Sequence, residues 1–173
     1  MKPNKYIFVI HISVAMNFTI DEPNFNVKNV SLMEPKKNII MDGQFTKLNY
    51  LCEWFTMNGL VFSTSLDYKI TSMGDKIMIN YDPYSARNLP VMKFLSSVEN
   101  QLLDMYSRNK QKHVHKNTLF TKQLYSGYLK IVSNEKDTFR SDKKMWSIKI
   151  SGIWETNDEI GITYKVFESY PVK

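Results

Sequence analysis

The chain has 173 residues, about what a single domain with one hydrophobic core requires. Hydrophobic residues make up 43% and aromatic residues 13%, which excludes wholesale disorder, and a lone cysteine, Cys52, excludes an intramolecular disulfide and a thiolate zinc cage. Twenty-three Lys and Arg against 17 Asp and Glu leave a net charge of +6, a balance typical of proteins with anionic partners such as nucleic acids. We therefore expect one folded basic domain, residues 1–173.

The N-terminal segment allows two interpretations. A basic start, an apolar run over Tyr6–Met16 and the small residues Ser13-Val14-Ala15 are typical of a secretory signal, and sequons at Asn17 and Asn29 agree with it. However, His11 interrupts the run, and its alternate residues share the parity of one strand face. These residues are Tyr6, Phe8, Ile10, Ile12 and Val14. We predict a half-buried strand, with secretion as the alternative.

Four runs rich in β-branched and aromatic residues follow before residue 82. The predicted strands are Val27 to Met33, Phe45 to Phe55, Leu60 to Ser72 and Lys76 to Tyr81. The breaks between them are Pro35, Asp42-Gly43, Asn58-Gly59 and Met73-Gly74-Asp75. Asn-Gly is typical of tight turns, so we expect a turn at Asn58-Gly59.

One principal helix is predicted in the middle of the chain, where apolar residues recur at spacings of three and four. These residues are Val91, Phe94, Leu95, Val98, Leu102 and Met105. Pro90 suits the first helical turn. The apolar stripe should pack on a sheet and leave the polar side in water. The residues expected in water are Lys93, Glu99, Gln101, Asp104 and Arg108.

Three further strands are predicted after the helix, over Gly127 to Val132, Met145 to Trp154 and Ile160 to Phe167. Thr156-Asn157-Asp158 forms the turn between the last two. Several strands, one helix and a terminal hairpin indicate a mainly β protein. We expect an OB-like Greek-key barrel with additional N-terminal strands, while a β-sandwich or an α+β sheet would give nearly the same pattern.

Motifs of catalysis are absent from the sequence. It contains no Gly-rich phosphate loop, no Gly-x-Ser-x-Gly and no His-Glu-x-x-His. His113-Val114-His115 lacks further metal ligands nearby, and Asp67, Asp75 and Asp82 fall at predicted turns. We therefore expect no enzymatic activity, no metal and no cofactor. A nuclease with dispersed acids is the enzymatic alternative.

Positive charge and aromatic rings occur together along the chain, and five fixed positive charges lie between Arg108 and Lys122 without an acid. Single-stranded nucleic acids are held by this combination, because cations neutralise phosphates and flat rings stack on bases. The basic residues of the predicted groove are Lys47, Lys69, Arg108, Lys112, Lys116, Lys122, Lys130, Lys143 and Lys144. The predicted stacking rings are Tyr50, Trp54, Phe55, Tyr68, Tyr125, Tyr128 and Trp146.

The last two predicted strands carry a specific residue pattern. The segments that carry it are W-S-I-K-I-S-G-I-W at 146–154 and I-G-I-T-Y-K-V at 160–166. This pair resembles the last hairpin of single-stranded DNA-binding proteins encoded by large DNA viruses, with Tyr164 where Trp is frequent. Upstream, residues 35–38, 43–50 and 55–60 look like the N-terminal region of that family, so the resemblance spans about Val27 to Phe167.

The resemblance implies an OB-like core and the coating of single-stranded DNA during viral DNA replication or recombination. It implies cooperative neighbours or a homo-oligomer on the strand, replication proteins as partners, no membrane, and work inside the infected cell, in the nucleus or the cytoplasm. The acidic C-terminal tail of many replication-associated binders has no counterpart in residues 168–173. RNA as ligand stays open. The alternative is a viral protein-interaction or host-modulating factor whose basic surface meets an acidic partner.

Overall fold

The computed structural model describes residues 19–73, 76–110, 114–131 and 145–169. These residues form a mainly β structure, as the sequence predicts, with eleven strands in one mixed sheet and two α-helices. The strands are β1 (Val30–Leu32), β2 (Lys36–Lys37), β3 (Gln44–Leu51), β4 (Thr56–Asn58), β5 (Leu60–Thr64), β6 (Lys69–Met73), β7 (Lys76–Asn80), β8 (His115–Lys116), β9 (Tyr128–Ile131), β10 (Met145–Glu155) and β11 (Glu159–Ser169). The helices are α1 (Leu89–Lys110) and α2 (Leu119–Tyr125).

The centre of the sheet is the antiparallel hairpin of β10 and β11, with its turn at the predicted position. The sheet order is β1-β3-β10-β11-β9-β7-β6. One edge of β10 pairs first with β5 and then, after a bulge between Ile150 and Gly152, with β3. The path of pairing ends at β1 and β6 without closing, so the described strands form an open sheet where we predicted a barrel.

The predicted turn at Asn58-Gly59 is present as a bend at Gly59, but it does not join two paired strands. Gly59, with φ of +84°, instead connects β4, which pairs with β3, to β5, which pairs with β10. A Cβ on Gly59 would approach the backbone carbonyl of Ile150 to 2.7 Å. The glycine therefore allows the chain to cross from one neighbouring strand to the next.

Helix α1 packs on one face of the sheet through the predicted apolar stripe, in which Leu95, Val98 and Leu102 are buried and the other three residues are half-buried. The alternate residues Ile148, Ile150 and Ile153 of β10 and Ile160 and Ile162 of β11 point to this covered face and are buried. Residues between them point to the opposite face, which we call the outward face. Among the described residues of this outward face, Thr163 and Lys165 of β11 are exposed, whereas Ser147 of β10 is buried.

Glu99 corrects the predicted polar side of α1, because it is fully buried and not in water. Its carboxylate accepts hydrogen bonds from the backbone N–H groups of Phe120 at 3.2 Å and Thr121 at 2.8 Å, in the first turn of α2. Burial raises the pKa of the Glu99 carboxyl above its usual value, although these N–H groups and Lys122 act in the opposite direction. Glu99 therefore joins the two helices.

A buried amide fixes the start of α1. Asn88 is 1% exposed, and its Nδ2 donates to the backbone oxygens of Asp67 and Asp82, both at 2.9 Å. Its Oδ1 accepts from the Asp67 N–H at 2.7 Å. Asn88 therefore satisfies three backbone groups of two different loops.

Replacing Asn88 with alanine is expected to lower the free energy of unfolding by roughly 2 kcal/mol, because the three backbone groups lose their partner. Urea denaturation followed by circular dichroism measures this change. Asn100→Ala is the matched control, since among the described residues that exposed amide bonds only to the Ser96 carbonyl of its own helix. Equal losses for the two variants would contradict the role of Asn88.

Candidate nucleic-acid interface

Three lysines converge on the outward face of the central strands. Lys149 of β10 lies opposite Lys165 of β11, and Lys47 of β3 lies opposite Gly152, just beyond the β10 bulge. Lys47 and Lys165 are exposed, and Lys149 is half-buried. Within the described residues, none of the three forms an ion pair with a carboxylate. We call Lys47, Lys149 and Lys165 the lysine cluster.

The lysine cluster is electrostatically unfavourable when no anion is bound. Burial, and next the positive charges of Lys165 and Lys47, lower the pKa of the Lys149 ammonium below its usual value. The adjoining outward positions Val61 and Thr163 are uncharged, so no acid relieves the repulsion there. A phosphate placed among the three ammonium groups would relieve it.

Two aromatic rings lie beside the lysine cluster, each against a glycine. A Cβ on Gly161 would come within 2.6 Å of Trp154 Cε2, and a Cβ on Gly152 would come within 2.8 Å of Phe45 Cε2. Each ring therefore occupies the space that a side chain on the neighbouring strand would fill. Phe45 and Trp154 are also cross-strand partners, and both are half-buried. The result is an aromatic surface supported by backbone.

The outward face continues across β9, β7 and β6. Val166 of β11 pairs with Ile131 of the parallel strand β9, and both are buried. The residues that precede them, Lys165 and Lys130, therefore both point outward and lie next to each other. Tyr128 of β9 and Lys69 of β6 are both partners of Asn80, and both are exposed. Four predicted residues therefore share this face: Lys47, Lys69, Tyr128 and Lys130.

Trp54 and Phe55 form the tip of the β3–β4 hairpin. Trp54 is 86% exposed and Phe55 is 37% exposed, and both follow Leu51 at the end of β3. The tip lies beyond the end of the strand that carries Phe45 and Lys47. Both rings are accessible at the surface, and their role in stacking stays a prediction.

Two predicted stacking residues are instead core residues. Tyr50 is 4% exposed, and its hydroxyl accepts from the Asn26 N–H and donates to the Asn24 carbonyl, both at 3.1 Å. Trp146 is fully buried, with the half-buried Tyr68 edge-on against it at 5.7 Å between ring centroids. Burial removes Tyr50 and Trp146 from any stacking surface, and Tyr68 packs on the covered side.

Four further predicted residues lie on or beside the helices. Arg108 is in the last turn of α1, and Lys116 forms an ion pair with Asp104 of that helix. Lys122 belongs to α2, and the Tyr125 ring packs against Tyr84 at 5.7 Å. The structure does not bring these side chains into the lysine cluster. Lys112, Lys143 and Lys144 lie outside the described residues.

The sequence prediction missed Lys149, Lys165, Phe45 and Trp154. The alternation of residues along the strand was a usable signal. Lys149 lies between Ile148 and Ile150, so it points to the face opposite to theirs. The positions of the glycines also carried information, since a glycine opposite a ring leaves room for that ring to lie on the sheet. Only the register between strands shows which rings meet which glycines.

Comparisons with protein-family models, with curated proteins and with solved structures found no match to this chain. The resemblance to viral single-stranded DNA-binding proteins therefore stays a prediction. Within the described ranges, no helix is long and apolar enough to cross a membrane. The same residues contain no group of three or more His, Cys, Asp or Glu side chains that could hold a metal ion.

Proposed function

We propose that this protein binds single-stranded nucleic acid, DNA in the first place, on the outward face of its sheet and performs no chemistry on it. The observation that carries the proposal is the lysine cluster beside Phe45 and Trp154, whose rings lie against glycines. Lysines neutralise phosphates, and rings held on a rigid sheet stack on bases without sequence preference. A protein that holds a flexible single strand needs both cations for the phosphates and rings for the bases, and both kinds of side chain lie here on one surface.

The course of β3 suggests how the strand runs. Its eight residues, Gln44–Leu51, extend for roughly 25 Å at the usual rise per residue. Phe45 and Lys47 lie along it, and the exposed ring of Trp54 follows its end. We infer that the bound strand follows β3 and crosses the lysine cluster.

The biological setting of the proposal rests on the resemblance of residues 146–154 and 160–166 to the viral proteins. On this basis we propose an OB-related protein that coats single strands during viral DNA replication or recombination inside the infected cell. Neighbouring copies and replication proteins are the proposed partners. With three lysines and two rings on one face, single strands fit better than an acidic protein, which would not require the rings.

Binding of labelled oligothymidine is expected to weaken steeply with salt. Each phosphate neutralised on a single strand contributes about 0.7 to the slope of log affinity against log salt, so five contacts give a slope near −3.5. Fluorescence anisotropy measures the slope, and tryptophan emission recorded in parallel should be quenched, because Trp54 is exposed and Trp154 half-buried.

Duplex DNA and oligouridine serve as competitors in the same assay, the first to test preference for single strands and the second to test RNA. Absence of binding at low salt would refute the proposal and favour an acidic protein partner. A salt slope near zero would refute the lysine cluster as the phosphate contact.

A further inference from the structure

The β2–β3 hairpin ends in a turn whose base is closed by hydrogen bonds. The Asn38 N–H donates to the Gly43 carbonyl at 3.0 Å, and Asn38 Oδ1 accepts from the Ile40 N–H at 3.0 Å, which closes an Asx turn. Gly43 has a φ of +139°, and a Cβ there would overlap the Glu155 carbonyl. The turn is therefore held by its own side chain and seated against the end of β10.

The tip of this hairpin is apolar and exposed. Ile39 is 97% exposed, Ile40 is 88% exposed and Met41 is 40% exposed. The free energy of an isoleucine side chain falls when it leaves water, so a turn that presents two of them favours insertion into an apolar environment. Asp42 is the one carboxylate in the turn.

The hairpin also adjoins the proposed interface. Lys36 lies opposite Phe45, and Phe45 lies opposite Trp154, so the two arms lead from the aromatic surface to the tip. Lys36 and Lys37 are both exposed. The hairpin thus combines cations at its base with isoleucines at its end, beside rings that we propose to stack on bases.

Isoleucine and methionine are side chains that proteins insert between base steps, where they unstack neighbouring bases. We propose that Ile39 and Ile40 form a wedge that enters the stack where a single strand meets a duplex, so that this protein opens duplex ends as it binds. This inference rests on the proposed function, because the wedge acts on a strand held by the outward face. Lys36, which shares the outward face with its partner Phe45, would hold a phosphate beside the opened step.

The test uses a short DNA duplex with an oligothymidine tail, labelled with a fluorophore and a quencher at the junction. Wild-type protein is expected to separate the strands, and the Ile39→Ser/Ile40→Ser variant is expected to do so about 10-fold more slowly. The variant should bind plain oligothymidine within about two-fold of wild type, because the lysine cluster and the rings are unchanged. Leu119→Ser is the matched control, since Leu119 is 58% exposed and belongs to α2.

Two measurements separate the wedge from other roles of the tip. Circular dichroism checks that the double variant folds, and sedimentation velocity compares its oligomeric state with that of wild type. Slower strand separation at unchanged oligothymidine affinity and unchanged oligomeric state supports the wedge.

Four outcomes overturn it. If the double variant separates strands as fast as wild type, or wild type binds oligothymidine without separating strands, the wedge is wrong and the proposed function stands. If the variant loses self-association together with strand separation, the tip contacts a second copy of the chain. If wild type binds no oligothymidine, both proposals fail.

Discussion

Replacing Lys149 and Lys165 with glutamate is expected to lower the affinity for oligothymidine about 100-fold at low salt, or roughly 2.7 kcal/mol. Lys149 and Lys165 are cross-strand partners in β10 and β11, and no carboxylate of the described residues pairs with either. Reversing both charges makes this site repel phosphate, which it attracts in the wild-type protein. The salt slope should also become shallower by about 1.4, because two phosphate contacts are lost. Anisotropy titrations across a salt series measure both quantities.

The matched control is Lys93→Glu/Arg108→Glu, which changes the net charge by the same amount on α1. Both residues are exposed, but α1 lies on the covered side of the sheet. This variant is expected to lose about three-fold or less, through the long-range field alone. Equal losses for the two double variants would mean that total charge, and not the lysine cluster, determines binding.

The sequence predicted those elements whose signal is local. The period of the apolar residues in Val91–Met105 locates α1, and the alternation in β10 and β11 locates the terminal hairpin. Helix α2 was missed because its stabilising partner is distant in sequence. Its N-cap residue Thr118 makes no capping hydrogen bond, and the Glu99 carboxylate of α1 accepts two of the N–H groups instead.

Strand geometry explains why part of the predicted set of stacking rings was wrong. Rings were selected because lysines lie near them in sequence, but successive residues of a strand point to opposite faces. Tyr50 is an example, because it lies an odd number of residues from the exposed Lys47 on β3 and is therefore buried. Trp154 and Lys149 are five positions apart on β10, and the bulge between Ile150 and Gly152 restores their common face. A single sequence does not give the position of that bulge.

Replacing Trp154 with alanine is expected to weaken oligothymidine binding about 30-fold, because stacking on one ring contributes roughly 1–3 kcal/mol per base. The ring lies opposite Phe45, two residues along the strands from the pair formed by Gly152 and Lys47. The fold should survive, since Trp154 is only half-buried and points away from the core. Anisotropy gives the affinity, and part of the tryptophan quenching should disappear with the ring.

Gly161→Ala tests whether the position of the Trp154 ring matters and not only its presence. A Cβ at residue 161 would come within 2.6 Å of Trp154 Cε2, so the indole must leave the sheet while the residue itself is retained. We expect about 10-fold weaker binding. Thr163→Ala, an exposed outward position on the same strand, should bind as wild type does. If Gly161→Ala binds normally while Trp154→Ala does not, the ring stacks without support from the sheet. Normal binding by both would exclude Trp154 as a stacking residue and leave the lysine cluster to act with Phe45 and Trp54.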